Sequence, residues 1–161
     1  VDPHASDGGV RAAWNDLFDR YRVDLVLQGH NHAFERTDPI RAGKPTRAAA
    51  DNAIVYPDTD GTVYYTVGSA GRPRYNFAPG EQESYRGHVL AETFVPNSYV
   101  WTPDGDKQEE AVNWSRVRFR DYAFIRIDVR PGRLLSEMDV VAIDEYGREF
   151  DKLTFRRPVR A

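Results

Sequence analysis

Val23-Asp24-Leu25-Val26-Leu27-Gln28-Gly29-His30-Asn31-His32-Ala33-Phe34-Glu35-Arg36-Thr37 sets a short apolar run directly before a glycine and two histidines spaced at i and i+2. A run of this kind reads as a buried strand. In open α/β sheets ligands gather in the crevice beyond the carboxyl ends of strands, and His30 and His32 fall at that place. On locally extended backbone, i and i+2 side chains project to one side with anchors roughly 6 to 7 Å apart. Two imidazoles so placed suit the two ions of a metal pair, about 3.5 to 4 Å apart, better than a single ion. Gly29 lets the chain turn sharply and lets a ligand approach the backbone, while Asn31, facing the other way, is expected to hydrogen-bond and hold the loop. By spacing alone, two polar loop histidines are the commoner meaning of a lone His-X-His.

Upstream, Val10, Trp14, Leu17, Phe18 and Tyr21 fall at i, i+4, i+7, i+8 and i+11, which predicts an amphipathic helix from Asp7 or Gly8 to about Tyr21. Ser6 and Asp7 can cap its first turn, and Arg20 and Arg22 suit its negative end. The strand from Val23 to Leu27 follows with almost no connection and is expected to be buried on both faces, as in a layered α/β core. Downstream, residues 38–60 are polar and broken by prolines and glycines, and read as a surface excursion. Thr62 to Val67 is β-rich and opens into Gly68-Ser69-Ala70-Gly71, so two strands end in glycine loops.

From Arg72 to Trp114 the aromatics keep no sustained period, and no element is placed there. Three strands are expected after it: Tyr122 to Val129, Leu134 to Ile143 and Arg148 to Arg156, joined by turn-forming residues. In the first, Ala123, Ile125, Ile127 and Val129 alternate with polar or aromatic neighbours, predicting one fully buried face. A helix-strand unit followed by an antiparallel meander indicates an α+β fold with a mixed sheet or sandwich.

The 161 residues, 40% of them hydrophobic, suffice for one core. A net charge of −3 argues against nucleic acid as the main partner. Cysteine is absent, so a thiolate metal site and a disulfide framework are excluded. No apolar run approaches the roughly 18 residues of a membrane span. The beginning, Val1-Asp2-Pro3-His4, is neither an initiator nor a signal peptide, and the chain reads as starting inside something longer.

The flanks of the two histidines carry more weight than their spacing. Gly29-His30-Asn31-His32-Ala33-Phe34-Glu35-Arg36 resembles the last metal-binding motif of the calcineurin-like metallophosphoesterases, in the purple acid phosphatase-like branch, where Gly-His-X-His is followed by a small residue, an aromatic and Glu-Arg. Phe34 stands where tyrosine is commoner, keeping the ring and losing the hydroxyl. The helix through Tyr21, the stretch Gly61 to Ser69 and the closing strands from Asp121 to Phe155 also resemble the C-terminal half of that family.

The resemblance implies that residues 1–161 are the C-terminal part of a single metallophosphoesterase domain, a four-layer α/β/β/α sandwich whose N-terminal half lies elsewhere. It implies a dinuclear centre of iron with zinc, manganese or a second iron, His30 serving the divalent ion and His32 the other. The family's remaining ligands lie in motifs of the Gly-Asp-X-Gly, Gly-Asp-X-X-Tyr and Gly-Asn-His-Glu type, and none of these occurs in the 161 residues. An acid phosphatase acting on phosphomonoesters, with the isolated chain inactive, is the function implied. Secretion or an extracytoplasmic place is implied as well. The same fold hosts phosphodiesterases and nucleotidases, and a non-catalytic β-rich binding or assembly module is the rival from another class.

His4, shortly before the helix, corresponds by the same resemblance to a general acid that protonates the leaving alkoxide. Read from the residues alone, it is equally a solvent-exposed histidine near a chain end. Glu35 and Arg36 are expected to lock the loop by ion pairing and capping rather than to bind phosphate in a fork. His88 reads as a surface residue and Arg72, Arg74 and Tyr75 as loop side chains; no substrate-binding residue and no oligomeric state is assigned.

Overall fold

A computed structural model describes residues 10–71, 73, 97–101, 107–111 and 113–159. The amphipathic stripe forms α1 (Val10–Tyr21). Arg22 ends it in a left-handed conformation, φ 50°, with the Val23 N–H returning to the Phe18 carbonyl at 3.0 Å. The expected Ser6 and Asp7 caps lie outside the described residues.

The chain then runs β1 (Leu25–Gln28), β2 (Phe34–Thr37), β3 (Ile40–Arg41), β4 (Lys44–Pro45), β5 (Ala53–Val55), α2 (Pro57–Asp60) and β6 (Val63–Val67). It continues through β7 (Asn97–Trp101), β8 (Lys107–Ala111), β9 (Ser115–Phe119), β10 (Ala123–Arg130), β11 (Leu135–Asp144) and β12 (Glu149–Pro158). One sheet has the order β1-β6-β2-β9 and the other β10-β11-β12-β5, while β3 pairs with β4 and β7 with β8. Both sheets are mixed. β1 is parallel to β6 and β5 to β12, and the remaining pairs are antiparallel.

The two sheets meet in one core. Phe34, Val63, Tyr65, Val117 and Phe119 of the first pack with Val140, Ala142, Phe150, Leu153 and Phe155 of the second. Phe150 is the hinge of this packing: its ring centre lies 5.0 Å from Phe34, edge to face, and 4.5 Å from Phe119. Because strand side chains alternate, Tyr64 faces the opposite way to Tyr65, and Phe18 of α1 packs edge-on against it at 6.0 Å. Burial, aided by Asp19, pushes the Tyr64 hydroxyl up to about 12. The layers are therefore helix, sheet, sheet. The expected α+β class and the closing meander β10-β11-β12 are both present.

Four local expectations are corrected. β1 is not buried on both faces: Leu27 is 52% exposed, because β1 is an edge strand and the aromatic contact of α1 falls over β6. Residues 38–60 are not a surface excursion. Asp38, Ile40, Ala49, Val55 and Pro57 are buried, and β5 joins the second sheet by pairing with β12. Its polar groups are admitted because they find partners: the Asp38 carboxylate accepts from Arg116 Nε at 2.8 Å and from the Ala49 N–H at 2.9 Å.

The continuous buried face expected for β10 ends early. Ala123 is buried, but Ile127 is 37% and Val129 63% exposed, since β10 is an edge strand whose packing on the core reaches only to Ile125. The region from Arg72 to Trp114, where no element was placed, holds the β7–β8 hairpin, and β9 directly follows it. β9 escapes sequence reading because Arg116 and Arg118 interrupt it, although Arg118 is buried in the sheet.

Candidate metal centre

The parallel pair β1 and β6 ends at one edge of the first sheet, in the register Leu27 with Tyr65 and Gln28 with Thr66. The side chains of the last pair are tied, Gln28 Nε2 donating to Thr66 Oγ1 at 3.0 Å. β2 lies on the far side of β6 and begins with Phe34 opposite Val67. The segment 29–33 must therefore pass over the end of β6, across two strand spacings or about 9.5 Å. It carries both histidines beyond the carboxyl ends of two parallel strands, where ligand sites of α/β sheets collect.

This crossing bends the backbone from His30 to Ala33, and the segment is not extended as the i, i+2 argument assumes. His30 is exposed and His32 half-buried. His32 Nδ1 lies 2.8 Å from the carbonyl oxygen of Pro73. A carbonyl only accepts, so Nδ1 carries the hydrogen, and in the neutral ring Nε2 is the atom with the lone pair. An imidazole oriented from behind by a backbone carbonyl is the usual support of a histidine ligand.

Two assigned roles change hands. Gly29 was expected to make the turn, but it has no positive φ, and a Cβ there would meet only the Val67 carbonyl oxygen at an ordinary 3.8 Å. At Gly68, by contrast, a Cβ would run into the carbonyl oxygens of Asn31 and Gly29. Asn31 does not hold the loop with its side-chain oxygen, which is buried without a hydrogen-bond partner among the described residues. Backbone groups hold it instead, the Gly68 N–H donating to the Ala33 carbonyl at 3.3 Å.

Arg36 neither pairs with Glu35 nor caps the loop. It is fully buried and donates from Nε to Asp151 Oδ2 at 2.6 Å, from Nη2 to Asp151 Oδ1 at 2.8 Å and from Nη1 to the Ala49 carbonyl at 2.9 Å. Burial opposes its charge, but Asp151 outweighs burial and keeps it protonated. This bidentate pair joins β2, the strand that leaves the histidine loop, to β12 of the other sheet. Glu35 is half-buried on β2, opposite Thr66 and Arg118. Phe34 turns its ring into the core against Phe150 and Tyr65, away from the loop it follows. His4, His88, Arg72, Arg74 and Tyr75 lie outside the described residues.

Imidazole nitrogens suit iron or zinc, and the support behind His32 fits such a group. No set of three or more histidines and carboxylates able to hold an ion occurs among the described residues, so His30 and His32 fit a centre only as a share of its ligands. No helix among the described residues is long and apolar enough to cross a membrane.

The chain is 37% identical over 132 residues to phosphoenolpyruvate phosphatase of Allium cepa, which covers 74% of the chain and 27% of that protein. Its fold matches the purple acid phosphatase PPD1 from yellow lupin (Lupinus luteus) seeds with a TM-score of 0.57 at 21% identity, covering 89% of the chain and 19% of that structure. Its fold is purple acid phosphatase-like. It corresponds to the C-terminal portion of that fold. An uncharacterized protein of Mycobacterium tuberculosis is 32% identical over 150 residues, 82% of this chain and 26% of the relative. Acid phosphatase type 7 of Homo sapiens is 26% identical over 144 residues. The chain spans about a quarter of the length of these relatives. No family model matches it.

Proposed function

We propose that this chain is the C-terminal part of a metal-dependent phosphoester hydrolase, in which His30 and His32 each serve one ion of a dinuclear centre. The observation that carries this reading is the placement of both histidines on the loop crossing the carboxyl end of the parallel pair β1 and β6, with His32 oriented through Nδ1 by the Pro73 carbonyl. The phosphatase names of two relatives support it. The other ligands would come from the part of the domain preceding residue 1.

When bound, such a centre supplies polarisation of the phosphoryl oxygens and a water of lowered pKa. The work of this chain is positional. The crossing segment carries both histidines past the carboxyl ends of β1 and β6, the Pro73 carbonyl sets the His32 tautomer, and the Arg36–Asp151 pair anchors the strand that leaves the loop. His4 is the proposed general acid. Phosphomonoesters are the proposed substrates, and iron with zinc, manganese or a second iron the proposed metals.

The test is hydrolysis of a chromogenic phosphomonoester by the longer protein, or by this chain mixed with a separately made N-terminal half, with iron, zinc or manganese added. His30→Ala and His32→Ala are each expected to lower the rate by at least about a thousandfold, since each removes a ligand on which transition-state charge stabilisation depends. Wild-type rates in both variants would show that the site is elsewhere.

A further inference from the structure

We propose that Gly68 is a positioning residue for the two-histidine loop, an inference that rests on reading His30 and His32 as metal ligands. Segment 29–33 crosses the end of β6, and Gly68 is the residue immediately beyond that end. A Cβ at this position would run into the carbonyl oxygens of Asn31 and Gly29. These are backbone atoms and cannot rotate aside, so the loop would have to rise. The Gly68 N–H meanwhile draws the Ala33 carbonyl in at 3.3 Å.

Gly68 is required for its size and not for its backbone angle. Gly43, Gly61, Gly71 and Gly147 have positive φ and Gly68 does not. The same segment continues to Pro73, whose carbonyl receives the His32 Nδ1 hydrogen. Lifting the loop from Gly68 therefore also pulls His32 from the acceptor that sets its tautomer. Metal–ligand distances tolerate only about ±0.2 Å, so a side chain at residue 68 acts on metal binding without touching a metal.

Gly132 provides a matched control. It too lacks a positive φ, and its Cβ would strike a backbone carbonyl, that of Leu135, in the turn between β10 and β11. Gly68→Ala and Gly132→Ala are compared in the full chain by long-range proton–nitrogen spectra of the imidazoles, and in the longer protein by zinc titration.

Both variants are expected to lose stability. Only Gly68→Ala is expected to change the Nδ1–H signature of His32 and to weaken zinc binding at least tenfold. An unchanged His32 signature in Gly68→Ala, or an equal change in Gly132→Ala, would overturn the proposal. Should Gly68→Ala fail to fold, one glycine inserted after Ala33 gives the crossing slack. It is expected to restore folding to Gly68→Ala and not to Gly132→Ala, and failure to restore it contradicts the proposal. Zinc binding by the wild type that is indifferent to His30→Ala and His32→Ala would overturn the ligand reading alone, leaving the imidazole spectra to decide Gly68.

Discussion

Replacing Asp151 by asparagine removes one charge from the pair that joins the two sheets. Arg36 and Asp151 side chains are both 0% exposed and share two hydrogen bonds, at 2.6 and 2.8 Å. The variant keeps the volume but leaves a guanidinium charge inside the sandwich, with the Ala49 and Thr37 carbonyls as its other acceptors. Breaking a buried pair from one side costs about 3–5 kcal/mol. Against a total stability of about 5–15 kcal/mol for a domain, that is at least about a fifth of the margin. Replacing both partners with apolar residues, Arg36→Met with Asp151→Leu, removes the stranded charge and is expected to cost less than either single change. Urea unfolding of Arg36→Met, Asp151→Leu, the double variant and the wild type closes a double-mutant cycle, with Asp151→Asn measured beside it. A loss below about 1 kcal/mol for Asp151→Asn, or a double variant as unstable as the sum of the singles, would refute the claim that this pair is coupled and desolvated.

Phe150→Ala is expected to cost about 3–5 kcal/mol, because its ring meets Phe34 and Phe119 of the opposite sheet; thermal unfolding measures it, and a change near zero would mean the sheets do not meet there. Ser69→Ala strands the buried Ala123 N–H, which donates to Ser69 Oγ at 3.2 Å, and should cost about 1–3 kcal/mol by the same assay. The Asp139 carboxyl is held below its ordinary value first by the Thr154 hydroxyl, at 2.6 Å, and then by Lys152 and Arg130. A depressed folded pKa contributes stability above the ordinary carboxylate range that is lost as pH falls through that range to the folded value. The stability gap between wild type and Asp139→Asn, measured by urea unfolding, should therefore be present at pH 7 and shrink on acidification, and a gap that grows in acid would contradict it.

How far the fold could be read depended on whether a strand's residues advertise its surroundings. α1, β1, β6 and the meander β10 to β12 carry their periodicity openly, so their order was legible. β9 was not, because Arg116 finds Asp38 across the chain and Arg118 is buried, contacts that no local pattern announces. β5 was hidden for the same reason: residues 38–60 look like a loop until Asp38 meets Arg116 and Ala49. At the site, the Gly-His-X-His motif identified the two histidines. It did not identify what holds them, since Gly68 and Pro73 reach the loop only through strand order. Gly29, beside the histidines in sequence, is the glycine that the motif points to, whereas the steric demand falls on Gly68, from a neighbour across the sheet. The partner of Arg36, Asp151, lies in the last strand and could not be named from the motif.

The most direct test of the account is metal content. The longer protein containing this chain, purified as wild type, His30→Ala, His32→Ala and the double variant, is analysed for iron, zinc and manganese per polypeptide, with circular dichroism confirming that each is folded. About two ions per wild-type chain are expected, with a loss in each single variant and near-complete loss in the double one. A folded double variant that keeps the wild-type metal content would contradict the placement of the metal centre on the loop from Gly29 to Ala33.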